Sequence, residues 1–331
     1  MMRSILFALS VFWASQGVAS DVDMRGFIQE HVLPRYSELA KHASWLALQA
    51  QIGCSSDYAP LIAQFHVAFD KWVAVSHLRF GPSEDNDRAY ALAFWPDPRG
   101  STPKALAALI ASKDQAVTHP DQFAAVSVAA RGFYALEFLL FDPQFVHTEN
   151  SDYRCALVRA IALDIAANAT AIRDAWYGGY GEQMMFAGGN TYRSQTEATR
   201  KFFTALTTGL EFTSRIRIGR PLGTFDRPRP KRAEARRSKR SLRHVILSLI
   251  SLRTLALHIS ERAVDVLAAF DIALSQAHEL NDPIFAGVAT GQGRLRLEAL
   301  QNSIDRIESL LIQKTGPSLG IKAGFNALDG D

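Results

Sequence analysis

Two cysteines, Cys54 and Cys155, are all that 331 residues contain. No C-x-x-C pair exists, so ribbon-type zinc sites and thioredoxin-type redox motifs are excluded. The nine histidines form neither H-E-x-x-H nor H-x-x-x-H. Serine is plentiful, yet no Walker-type phosphate loop occurs. The spacing G-x-S-x-G occurs once, as "GPSLG" at 316–320, but it follows a helical stripe rather than a strand and so is not a nucleophile elbow. Nucleophilic hydrolysis therefore has no positive support. Alternating strand-like runs bounded by hairpin turns are missing, which argues against a sheet. Net charge is only +3, too small to argue for nucleic acid. Beyond the N-terminus, no segment has the roughly 18 uninterrupted apolar residues of a membrane span.

What is present starts at the N-terminus. "MMRSILFALSVFWASQGVAS" carries Arg3, an apolar run at 5–13, and small residues at Val18, Ala19 and Ser20. It reads as a signal peptide over 1–20, cut before Asp21, because the apolar run is too short to span a bilayer. The alternative is a buried N-terminal helix. No cysteine sits at the cut, so a lipid anchor is not expected there. Export would place the chain in the periplasm or cell envelope. In that compartment Cys54 and Cys155 suggest one disulfide, with two buried free thiols as the alternative.

The helical period dominates the rest. Leu61, Phe65, Phe69, Trp72 and Val73 recur at helical steps, as do Leu157, Ile161, Ile165, Ile172 and Trp176. So do Leu255, Ile259, Val266, Phe270 and Ala273, and Leu297, Leu300, Ile304, Ile307 and Leu311. The expectation is an all-α chain of packed helical bundles. The glycine-rich "WYGGYGEQMMFAGGNTY" reads as a boundary, giving one bundle at 21–190 and a second at 191–331. Within the second, the Arg-rich connection at 215–243 is too long for a bundle turn and is expected to cross the surface.

In that connection Arg227, Arg229, Lys231, Arg232, Arg236, Arg237, Lys239, Arg240 and Arg243 face only Asp226 and Glu234. Such a run suits an envelope protein, lipid head groups or an anionic ligand. Otherwise it is a solvated cationic loop. Nucleic acid is not expected, since stacking aromatics are not interleaved. Arg240 and Arg243 flank a helix start at Ser241, where their forks could be held toward a carboxylate or phosphate. Arg79, before "FGP", and Arg99, ending "FWPDPR", sit among aromatics and prolines. They either line a cleft for an anion or pair with Glu84, Asp85 or Asp97. His66, Asp70 and His77 share a helix face, but its ends are ~16 Å apart, too far for one ion. The pair His66–Asp70 reads as a surface contact.

The segment "ARGFYALEFLLF" is the most pointed. Gly132, Tyr134 and Glu137 form G-x-Y-x-x-E, with phenol and carboxylate on one helix face. Gly132 inside a helix suggests another helix packed close. A buried Glu137 needs an arginine, a hydroxyl or a metal, and Arg131 is the nearest cation.

Together with "VLPRYSELA", "RFGP", "FWPDPRG", "RPRPKRAEARRSKRSLRH" and "LGIKAGFNALDGD", this segment resembles the imelysin family of bacterial envelope proteins. The resemblance implies two helical-bundle domains with a site between them, a link to iron uptake or metal binding, and an older metallopeptidase classification. Its marker is G-x-H-x-x-E. Here Gly132 and Glu137 match, and Tyr134 stands at the histidine position. The usual imidazole ligand of iron or another divalent metal is thus replaced by a phenol with a reference pKa near ~10. The expected site joins Tyr134 and Glu137 with Arg79, Arg99, Arg131, Arg240 and Arg243, with Glu137 the only metal candidate. Such an arginine lining suits an anionic or metal-containing small ligand better than a bare cation. No catalytic set can be assembled for the peptidase alternative.

Overall fold

A computed structural model describes residues 22–54, 58–149, 151–259 and 264–321. The expected signal peptide and most of the terminal "LGIKAGFNALDGD" lie outside them. Among the described residues the chain is all-α. It has no strand, only an isolated bridge between Thr224 and Arg227.

Nine helices run ten residues or longer among the described residues. They are α1 Leu33–Gly53, α2 Ala59–Val73, α3 Ser101–Ser112, α4 Gly132–Phe141 and α5 Ser151–Ala175. Then follow α6 Gln195–Glu211, α7 Ser241–Ile259, α8 Val264–Leu280 and α9 Gly291–Leu310. Helix α1 packs along α2 and α5, and α4 packs on α5. In the C-terminal half α8 lies against α7 and α9, and α6 against both of the latter. Contact between α2 and α7 joins the two groups, and one hydrophobic core contains residues of both. The apolar stripes read from the sequence are its substance: Leu61, Phe65 and Phe69 are fully buried, as are Leu300, Ile304 and Ile307. Each such side chain contributes roughly 1.5–3 kcal/mol on burial. The residue windows at 151–185 and 241–259 are long and apolar enough to cross a membrane by length and composition, but over half of each is buried inside the protein.

Local chemistry fixes the ends. Ser194 Oγ accepts from the Glu197 backbone N–H, and the Glu197 carboxylate accepts from Arg193 N–H at 2.9 Å, a reciprocal cap that starts α6. Cys54 and Cys155 form a disulfide that ties the end of α1 to α5. Gly132 is not an interior helix residue as expected. It begins α4 at φ +73°, and a Cβ there would lie 2.3 Å from the carbonyl oxygens of Ala91 and Leu92. The close neighbour is the carbonyl end of the short helix Arg88–Leu92, so another helix does pack close, through its backbone.

The Arg-rich connection crosses the surface only in part. Its tip at 223–227 is exposed, but Ala233, Glu234, Ala235 and Ser238 are buried. The chain between these positions is a strap pressed onto α4.

Candidate functional site

Three elements meet beneath the strap. Helix α4 supplies Tyr134 and Glu137. Helix α6 continues past Glu211 as a wider turn over Phe212–Ile218, which carries Arg217 into the interior. Helix α7 supplies His244 and Ser248. The strap adds Glu234 and Ser238. All seven side chains are buried.

Glu234 is the hub. It accepts a hydrogen bond from the Tyr134 hydroxyl, and its other oxygen accepts from Arg217 Nε at 2.7 Å. Arg217 Nη1 also donates to Ser248 Oγ at 2.9 Å, and His244 Nδ1 lies 3.4 Å from Glu234. Burial alone would raise the Glu234 carboxyl. The Arg217 guanidinium, with His244 and Tyr134, outweighs it and holds the group at about 2. Burial and the adjacent Glu234 charge push the Tyr134 phenol well above its ordinary value. The phenol is therefore a donor, not a phenolate.

Glu137 is separate from this hub. Its Oε1 accepts from Ser238 N–H at 2.9 Å and Ser238 Oγ at 2.7 Å. Its partner is a hydroxyl and an amide rather than an arginine. Burial raises its carboxyl above the usual range, partly offset by Ser238.

The expected arginines do not gather around Glu137. Arg240 and Arg243 both bind Asp70, the latter at 2.7 Å. That also takes Asp70 from the expected His66 contact. Arg131 forms a bidentate pair with Asp164 at 3.0 and 2.7 Å. Arg79 pairs with Glu84 at 2.5 Å, one of the expected pairings. Arg99 is exposed. Of these five, Arg79 alone reaches the cavity beside Tyr134.

That cavity has a volume of about 440 Å³. Its aromatic walls are Trp72, Phe80, Trp95, Tyr134 and Phe212. Four cations line it, Arg79, Lys201, Arg215 and Arg217, against two carboxylates, Glu211 and Glu234. Both carboxylates are already paired, Glu211 with Arg215 and Glu234 with Arg217, each at 2.7 Å. Buried His77 also faces it, kept neutral because burial, then Arg35 and Arg217, lower it to about 3. Its Nε2 has no hydrogen-bond partner.

The metal that the resemblance implies does not fit these residues. Glu234 is held by a guanidinium and a phenol proton, and Glu137 by Ser238. Among the described residues no three of His, Cys, Asp and Glu are grouped to hold an ion. Glu234, Arg217, Ser238 and His244 did not stand out as site residues in the sequence. One signal was there: Glu234 lies between two alanines inside a long basic run.

These observations define a class: an all-helical protein with a strap-covered polar hub opening onto an aromatic, cation-rich cavity. Residues 32–311 match the profile of the family described as Imelysin. The chain belongs to the imelysin family. Its fold is similar to that of an imelysin-like protein from Psychrobacter arcticum 273-4, with a TM-score of 0.77 at 18% identity, covering 97% of this chain and 100% of that one. It is also similar to a protein from Parabacteroides distasonis ATCC 8503 described as an iron-regulated protein A precursor. There the TM-score is 0.70 at 13% identity, covering 89% of this chain and 95% of that one. No curated protein matches the chain at significance.

Proposed function

We propose that this chain is an exported envelope protein that binds a small anion with an aromatic or apolar body, free or as the chelate of a metal such as iron. The observation that carries the reading is the cavity lining: five aromatic walls and an excess of cations, with both carboxylates already neutralised. A bare cation would meet like charge there. An anion would find Lys201, which has no ion-pair partner among the described residues, and the aromatic faces would take its apolar body. The cavity draws on residues from both packing groups, in keeping with a site between two bundles. Export is supported by the N-terminal segment, and an iron link by the name of the Parabacteroides neighbour.

The test is a fluorescence titration with the aromatic anion anilinonaphthalene sulfonate, followed by competition with aromatic carboxylates and their ferric complexes. Trp95→Ala and Lys201→Glu should each weaken binding about tenfold or more with the thermal melt retained. Equal binding of a cationic dye of similar size would overturn the reading.

A further inference from the structure

The exposed side of the strap carries a second feature. At its tip the chain reverses between Thr224 and Arg227, closed by the Arg227 N–H to Thr224 carbonyl bond at 3.1 Å. Phe225 stands at the apex and is 81% exposed. The turn is braced rather than loose. Arg294 Nη1 donates to the carbonyls of Leu222 and Thr224 at 2.8 and 3.0 Å, and its guanidinium lies 5.6 Å from the Phe225 ring. Arg229 N–H reaches back to the Pro221 carbonyl at 2.8 Å. Gly223, at φ +59°, has no room for a side chain, since a Cβ would lie 2.5 Å from the Arg227 carbonyl oxygen.

Around this apex lie Arg227, Arg229, Lys231 and Arg232, against a single acid, Asp226. None of the four has an ion-pair partner among the described residues. They crowd one another: local desolvation and the charges of Arg227 and Arg232 lower Arg229. Arg220 turns the other way, its guanidinium 5.9 Å from the Trp95 ring.

We propose that this tip docks the protein on a bilayer of anionic phospholipid, with Phe225 inserted at the headgroup level and the surrounding arginines on lipid phosphates. The choice of a lipid surface follows from shape. A narrow turn that projects one large apolar ring needs a soft surface to receive it, whereas an acidic protein would need a matching pocket. Arginine forks suit phosphate oxygens, and each cation near an anionic leaflet adds favourable attraction that salt screens. The inference takes from the proposed function only export to the envelope. It does not involve the cavity.

The experiment is co-sedimentation of the purified full chain with vesicles of phosphatidylglycerol mixed into phosphatidylcholine, and with phosphatidylcholine alone. Binding is expected to the anionic vesicles only, and to fall steeply with salt. Phe225→Ala should weaken it about tenfold. The triple variant Arg227→Glu, Arg229→Glu, Arg232→Glu should lose at least about a hundredfold. Phe225, Arg227 and Arg232 are exposed and Arg229 is half-buried with no side-chain ion pair, so circular dichroism should show the fold intact. Equal binding to neutral vesicles would overturn the proposal. So would unchanged binding of either variant, or binding to polyglutamate but not to vesicles, which would point to an acidic protein instead. Anion binding in the cavity by dye titration is read separately, so either idea can fail alone.

Discussion

The Tyr134 hydroxyl donates to the carboxylate of Glu234, one hundred residues further along the chain. The bond fastens the strap to α4 and fixes the protonation of both groups. Glu234 stays charged for Arg217, and Tyr134 keeps its proton. The hub thus closes on a guanidinium, where the family marker would lead one to look for a metal.

Tyr134→His restores the G-x-H-x-x-E marker. We expect it not to create a metal site, because Arg217 still occupies Glu234 and repels a cation. Elemental analysis for iron and zinc after dialysis against a non-chelating buffer checks this. Stoichiometric retention by the variant would sink the argument.

Arg217→Met strands a buried carboxylate. The expected loss of stability is about 3–5 kcal/mol, read by urea denaturation. Adding Glu234→Gln should recover part of that loss, since the amide carries no charge. Equal stability of the single and double variants would contradict the ion-pair account.

Acid should weaken the fold in a window set by histidines. His31 and His77 are buried, and burial first, then neighbouring cations including Arg35, lower them to about 2 and about 3 from 6.5. They stay neutral in the fold but take up protons when unfolded. Their contribution is complete above 6.5 and is lost as pH falls below it. Between pH about 6.5 and 5.5 the two together should cost roughly 2 kcal/mol. His31→Phe, which keeps an aromatic ring against Phe27, should reduce that loss by about 1 kcal/mol. Glu234 acts lower, its contribution fading below 4.5 toward about 2.

Reduction of the Cys54–Cys155 disulfide removes a cross-link spanning 101 residues. Loop entropy sets the expected loss near about 4–5 kcal/mol. Chemical denaturation with and without reductant measures it, and a double serine variant should match the reduced protein.

The helices were legible because period is a local property. Leu297, Leu300, Ile304 and Ile307 announce a buried stripe by spacing alone. The start of α7 at Ser241 was legible for the same reason. The site was not, because its contacts span the chain. Tyr134 to Glu234 and Glu137 to Ser238 are each about a hundred positions apart. Nothing in their neighbourhoods encodes which acid meets which donor. Arg240 and Arg243 illustrate the same limit. Their helix-start position was readable, but their partner Asp70 lies some 170 residues earlier. Gly132 was read correctly as a close approach, yet its left-handed φ depends on the carbonyls of Ala91 and Leu92, which no spacing rule reveals.

A stretch so rich in arginine and lysine would ordinarily be the first place a trypsin-like protease cuts. Here the backbone around Ala235 and Ser238 is pinned beneath the surface, so cleavage after Arg236 or Arg237 requires the strap to lift. Digestion rate at those bonds therefore gauges how often the strap opens, and with it the Glu234 wall of the cavity. A ligand that settles against that wall should protect these bonds while leaving the exposed tip as cleavable as before.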